Sequence, residues 1–195
     1  MDVTESAATA RALAFVGEIA SVCERCPLAG SRTRVVFGAG DPVADLMIVG
    51  EAPGADEDAT GLPFVGDAGR DLDGLLDDAG LRRDDAYVTN VVKCRPPGNR
   101  PLTQAEVAAC APYLDLQLAL VRPRVILAVG ASAARRLTGL TTPLERLHGD
   151  PHPVGRYTVV PTFHPSSFNR RRGRQDQAGA DVGAARRALD DQGVP

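Results

Sequence analysis

Four short apolar runs, each emptying into a polar or glycine-rich segment, set the frame of this chain. Residues 45–50 (Asp-Leu-Met-Ile-Val-Gly) are apolar almost without alternation, as in a strand covered on both faces of a parallel sheet. Residues 86–91, 124–129 and 157–161 repeat that character. Between them the apolar positions switch to helical spacing. A first helix is predicted over 7–22, with Leu13, Val16, Ile19 and Ala20 in step. A second covers 68–79, with Leu72, Leu75 and Leu76 inward and Gly80 as its stop. Thr103-Gln104-Ala105-Glu106 is a capping box that opens a helix to about residue 120, with Val107, Cys110, Leu114 and Leu118 on one face. Gly130 opens a helix over 131–137, and 177–191 form a final amphipathic one. Residues 27–41 read as loop around a short strand at Val35-Val36-Phe37, and 51–65 as an acidic Gly/Pro loop. Alternating buried strands and helices predict an α/β fold, a three-layer α/β/α sandwich on a mostly parallel four-stranded sheet. No repeat or linker divides it, so one domain is expected over residues 1–195.

In such sheets functional loops gather at the carboxyl ends of the strands. Segments 51–64, 90–100, the turn after Gly130, and 164–174 are all expected there.

Charge narrows the partners. With 22 basic and 25 acidic residues the net charge is −3, which argues against wholesale coating of nucleic acid. Any such contact must be local, and Arg170-Arg171-Arg172-Gly173-Arg174 is the candidate patch. The apolar runs are strand-sized, so no membrane span is expected. The acidic start, Met-Asp-Val-Thr-Glu-Ser, is unlike a signal peptide, and a reducing, cytoplasmic setting is the expectation.

Four cysteines fall in two pairs. Cys23-Glu24-Arg25-Cys26 is a CxxC ahead of Pro27, while Cys94 and Cys110 flank a Pro96-Pro97-Gly98 turn. Four thiols complete a Cys₄ site, suited to an iron–sulfur cluster or to structural zinc, and spacing does not separate the two. A redox CxxC would need a thioredoxin-like setting, which is missing. Two disulfides would need an oxidising compartment that nothing here indicates.

The strand exits carry the other chemistry. Gly50-Glu51-Ala52-Pro53-Gly54, followed by Asp56-Glu57-Asp58, sets carboxylates beside a turn whose amides can approach a ligand. Phe64, between Pro63 and Val65-Gly66, is placed to stack on a planar ligand. Asn90 brings an amide to the next exit, and His164-Pro165-Ser166-Ser167 an imidazole. Singly, each is more common as a surface turn or core residue, and His148 and His152 are read as structural.

In this order and on these strands, the segments resemble the iron–sulfur, or family 4, uracil-DNA glycosylases. The likeness runs from Cys23 to about Arg170, through CxxC, GEAPG, GLPFVG, TNVVKCRPPGNR, the spacing to Cys110, and HPSS. It implies a DNA repair enzyme that flips uracil out of DNA, hydrolyses its N-glycosidic bond and releases free uracil. Cys23, Cys26, Cys94 and Cys110 would hold a structural [4Fe–4S] cluster. Phe64 would stack on the base, and Asn90 would read its edge, donating to O4 and accepting from N3–H; cytosine reverses that pattern. His164 would sit near uracil O2. Glu51 would position the attacking water or stabilise the cationic sugar, with Glu57 assisting. Amides near Ala52 and Gly54 would line the floor, with Ser166 also counted as substrate-binding.

One stretch departs from the family. After His-Pro-Ser it continues with two variable residues and Leu-Arg, whereas Ser167-Phe168-Asn169-Arg170 has asparagine at the leucine. Phe168 is the alternative wedge for the vacated stack. Arg170, Arg171, Arg172 and Arg174 are expected on DNA phosphates. Two other functions share this fold: a protein that traps uracil-DNA covalently, and a noncatalytic iron–sulfur module. Trapping relatives carry a basic, His-containing insertion where this chain has only Arg95-Pro96-Pro97-Gly98-Asn99-Arg100. No residue identifies a sliding clamp or other replication partner.

Overall fold

The computed structural model describes residues 3–170 and 173–192. Its strands are β1 (Ala39–Gly40), β2 (Leu46–Gly50), β3 (Ala86–Asn90), β4 (Val125–Val129), β5 (His152–Val154) and β6 (Tyr157–Thr162). Its α-helices are α1 (Val3–Ser21), α2 (Ala55–Thr60), α3 (Asp67–Asp78), α4 (Gln104–Val121), α5 (Ala131–Thr138) and α6 (Arg174–Gln192). The sheet order is β1-β3-β2-β4-β6-β5. Its centre is the expected parallel quartet, with β3 beside β2, β2 beside β4, and β4 beside β6. Two antiparallel edge strands extend it, β1 on β3 and β5 on β6. At two and three residues they carry too little pattern to be read from sequence.

Pleating divides the central strands between two cores. Met47 and Val49 face a layer with Leu13 and Ala20 of α1, Leu114 of α4 and Leu137 of α5. Leu46 and Ile48 face Leu72 and Leu76 of α3 and Val182 and Ala185 of α6. This is the three-layer arrangement the apolar runs predict. The Thr103 capping box is present, with Glu106 N–H donating to Thr103 Oγ1 at 3.2 Å and Thr103 N–H to Glu106 Oε2 at 2.8 Å.

Three local expectations are corrected. Val35-Val36-Phe37 lies outside the sheet; Val36 is buried and its N–H donates to the Lys93 carbonyl at 2.8 Å, while the strand forms at Ala39–Gly40. Segment 51–65 contains a helix, α2, whose polar sequence has no apolar period to betray it. Ile19 is exposed, because Leu13 and Ala20, seven residues apart, define the buried face of α1.

Candidate active site and cysteine centre

β2 is the first parallel strand; β3 lies on one side of it and β4 on the other. The chain therefore reverses direction across the sheet between β2 and β4, and the loops beyond that point diverge to leave a crevice. A cleft of about 690 Å³ opens there, lined by Glu51, Ala52, Gly54, Glu57, Phe64, Asn90, His164, Ser166 and Arg174 among others. All four expected loops reach it.

Glu51 follows the last residue of β2, half-buried, and its Oε2 accepts from Ser132 Oγ at 2.9 Å. Ser132 lies in the first turn of α5, so this bond spans the crevice between β2 and β4. It belongs to no recognisable motif, and only tertiary folding brings it to Glu51. Glu57 also lines the cleft, but its oxygens are engaged. Oε2 accepts from Gly54 N–H at 2.9 Å, and Oε1 accepts from Val65 N–H at 2.9 Å and Gly66 N–H at 3.0 Å. The same bonding engages the Gly54 N–H, and Gly54 itself lines the cleft. Asp58 is buried and accepts from the N–H groups of Thr33 (2.9 Å) and Arg34 (3.3 Å). Two of the three acids after Gly54 thus fasten backbone.

Asn90 ends β3 directly opposite Gly50 of β2, and is 2% exposed. A Cβ on Gly50 would lie 2.4 Å from Asn90 Oδ1 and 2.6 Å from Phe64 Cζ. Only glycine lets the amide and the ring converge there. Phe64 holds a left-handed backbone (φ 53°), and its ring centre is 6.0 Å from that of His164 at 31°. His164 leaves β6 half-buried. Its Nδ1 accepts from Ser166 N–H at 3.2 Å and lies 2.9 Å from Ser166 Oγ. An acceptor Nδ1 in a neutral imidazole places the proton on Nε2, which becomes a donor. Ser166 therefore orients the imidazole.

Two described residues of the wedge and arginine segment, Phe168 and Arg174, are engaged within the fold. Phe168, half-buried, packs against the core shared by α3 and α6 rather than standing free. Arg174 is the first residue of α6; its Nη2 lies 3.0 Å from Glu145 Oε1 and its guanidinium 4.6 Å from the Phe163 ring centre. It braces the rim of the cleft. Arg170 ends a short 3₁₀ helix (Pro165–Arg170), and Arg171 and Arg172 lie outside the described residues. His148 is distant in role, pairing with Asp181 (Nδ1 to Oδ1, 3.0 Å) and stacking on Phe163.

On the α1/α4 side, Cys23, Cys26, Cys94 and Cys110 line one small cavity. All four are free thiols. Among the described residues no three His, Cys, Asp or Glu side chains close to single-ion chelating distance. The surroundings suit sulfurs that carry negative charge as ligands. Arg32 Nη1 lies 3.6 Å from Cys94 Sγ, and the Lys93 backbone N–H donates to Cys110 Sγ at 3.3 Å. Burial pushes the Cys94 thiol up to about 11, against the pull of Arg32, and pushes the Cys110 thiol up as well. Both are protonated at neutral pH unless a cationic group binds them. Burial also pulls the Lys93 ammonium down to about 7, opposed by Cys110. Sequence reasoning assigned no role to Arg32 or Lys93, although Lys93 stands inside TNVVKCRPPGNR.

Comparison with known proteins agrees with the geometry. The profile of the uracil DNA glycosylase superfamily matches residues 37–187. A type-4 uracil-DNA glycosylase of Thermotoga maritima is 44% identical over 163 residues, 83% of this chain and 85% of that protein. One from Pyrobaculum aerophilum is 49% identical over 162 residues, covering 79% and 83%. A type-5 uracil-DNA glycosylase of Thermus thermophilus is 38% identical over 162 residues, covering 72% and 73%. Among the described residues no helix is long and apolar enough to cross a membrane. The chain belongs to the uracil DNA glycosylase superfamily and, within it, to the type-4 branch.

Proposed function

We propose that this protein excises uracil from DNA by hydrolysing the N-glycosidic bond, leaving an abasic site and free uracil. The convergence of Glu51, Phe64, Asn90 and His164 on one cleft at the sheet's switch point carries this reading. Phe64 stacks on the extruded base and Asn90 reads its O4 and N3–H edge. As the C1′–N1 bond breaks, electrons move into the departing base, and His164 Nε2–H donates to its O2. Positive charge grows on the sugar, which the Glu51 carboxylate faces. Glu51, held by Ser132, orients a water for attack on C1′ and takes its proton. Glu57 and Ser166 act as positioning residues, for the Gly54–Gly66 loop and for His164 respectively. Arg170, Arg171 and Arg172 are assigned to DNA phosphates.

The four cysteines hold a [4Fe–4S] cluster, which supplies a cross-link between the N-terminal segment and α4 and no step in hydrolysis. This reading rests on the thiols surrounding a cavity, on the N–H groups directed at two of the sulfurs, and on the motif likeness to the iron–sulfur branch. Incubation with a uracil-containing oligonucleotide followed by alkali tests the activity. Strand scission is expected; a covalent adduct or an intact strand overturns it. Metal analysis of anaerobically purified protein tests the centre. Brown protein containing iron is expected, and colourless protein with stoichiometric zinc overturns the assignment.

A further inference from the structure

Asn90 and Cys94 stand four residues apart, one in the cleft and one on the cysteine cavity. Between them, Lys93 is 1% exposed. A lysine is rarely buried so fully unless it is paired. Here Nζ has three oxygens in reach: Thr89 Oγ1 at 2.7 Å, the Asn90 carbonyl at 2.6 Å and Gln117 Oε1 at 2.5 Å. Three ammonium hydrogens meet three acceptors. The acceptors are themselves anchored. Thr89 Oγ1 donates to the Phe37 carbonyl at 2.8 Å, and Gln117 Nε2 donates to the same carbonyl at 2.8 Å and to the Tyr87 hydroxyl at 3.1 Å. The Lys93 main chain is pinned on both sides, its N–H on Cys110 Sγ at 3.3 Å and its carbonyl by Val36 N–H at 2.8 Å.

The geometry points to Lys93 as a positioning residue for base recognition: seated on the wall of the cysteine cavity, its side chain clamps the main-chain carbonyl of Asn90 and so sets the backbone from which the base-reading side-chain amide projects. This rests on the base-reading role of Asn90 proposed above. Asn90 is the last residue of β3; the next two N–H groups, of Val91 and Val92, still donate to the Gly50 and Glu51 carbonyls at 2.9 and 3.0 Å, and the Lys93 contact adds a bond to the Asn90 main-chain carbonyl itself. The cross-link between α4 and the N-terminal segment is thereby joined to the specificity of the cleft through one side chain. A loosened Asn90 amide should leave DNA binding intact and penalise the step that requires the base to be aligned.

Lys93→Met keeps the length and removes all three bonds. Single-turnover excision of uracil at saturating enzyme is expected to slow on the order of 10- to 100-fold, the scale of misplacing a reacting group by about 1 Å. Iron per chain and DNA affinity are expected to stay at parent values. In the single variant the Gln117 oxygen loses its charged donor and is left with the longer Thr89 hydroxyl contact at 3.2 Å. The double variant Lys93→Met with Gln117→Leu removes that oxygen while the Phe37 carbonyl keeps its bond from Thr89, so its melting temperature should recover part of the way toward the parent. Its excision rate should not recover, whereas a lysine needed only for folding would restore both. Asn90→Asp is measured beside them. Parent-rate excision by the double variant, with Asn90→Asp impaired, overturns the Lys93 assignment alone. Parent-rate excision by Asn90→Asp overturns the base-reading role and the inference with it. Should both Lys93 variants prove insoluble, Thr89→Val, which deletes one acceptor and keeps the ammonium, decides. A slowed step in that variant supports the clamp, and the parent rate overturns it.

Discussion

The cleft and the cysteine cavity share the segment between Asn90 and Cys94 yet are built on opposite principles. The cleft is wide, and the two side chains proposed to act on the glycosidic bond, Glu51 and His164, are only half-buried, with Ser132 and Ser166 within hydrogen-bond distance of them. The cysteine cavity is narrow, enclosed by Ala20, Val35 and Tyr113, with two thiols buried and raised in pKa by that burial. A site that turns over substrate must admit water and a nucleotide, so its groups are held by few, directional bonds. A structural centre needs exclusion of water, and its groups are held by packing. Damage to the two regions should therefore look different: lost chemistry in one case, lost fold in the other.

The largest expected effect is on the structural side. Cys110→Ala or Cys23→Ala should abolish soluble, iron-loaded protein, because these cysteines lie on segments that the proposed cluster would join, and the binding energy of such a group is folding energy. Soluble yield and iron per chain measure it, and a soluble, fully active Cys110→Ala protein would break the comparison. Next come His164→Ala and Glu51→Gln, each expected to slow single-turnover excision by at least ~10²-fold while melting temperature and DNA affinity stay near parent values. A large fall in melting temperature in either would mean that the cleft, too, is structural. Phe64→Ala should cost roughly 1–3 kcal/mol in uracil-DNA recognition, the range for losing a stacking aromatic, measured as the change in kcat/KM.

Smaller effects sharpen the boundary. Arg100 forms a double hydrogen bond with Glu106 beneath the cleft rim, Nη1 to Oε2 at 3.0 Å and Nη2 to Oε1 at 2.6 Å. That guanidinium, with the Thr103 amide, holds the Glu106 carboxyl down to about 2. A folded-state value below the unfolded one, about 4.3, gives stability that is present above pH ~4.3 and lost as pH falls toward 2. The melting-temperature gap between parent and Glu106→Gln should be full at pH 7 and close on acidification through that window. A gap that is independent of pH would remove the ion pair from the account. The smallest effect is expected at Arg174. Because it is occupied by Glu145 and Phe163, Arg174→Ala should barely alter the salt dependence of DNA binding. Replacing Arg170, Arg171 and Arg172 should flatten the log–log slope by about one per lost phosphate contact.

Much of this was legible in one dimension, and the reasons are specific. Continuous runs such as Leu46–Gly50 cannot be anything exposed, and parallel strands need helices across both faces, so the layered sheet followed from β2, β3, β4 and β6 alone. The strand exits then had to share one edge, which is why Glu51, Phe64, Asn90 and His164 could be named together. Edge strands β1 and β5 escaped because their stability comes from pairing with β3 and β6, not from their own two or three residues.

What the sequence by itself determined is the set of local propensities and the motif order: the fold class, the cysteines as one group, the loops as one site. What only the tertiary structure decided is how equivalent residues divide their duties. Glu51 and Glu57 are both acids in one short segment, yet one meets a hydroxyl from α5 and the other three amides of its own loop. Arg174 continues an arginine run in sequence but is turned inward by an aromatic ring and a carboxylate. Lys93 looks like an ordinary surface charge beside Cys94, and is buried because three oxygens from two elements surround it. A charged group takes its role from the partners within about 3 Å of it, and whether those lie 3 residues away, as Asn90 does from Lys93, or 81, as Ser132 does from Glu51, is decided by packing, which the order of residues along the chain does not display.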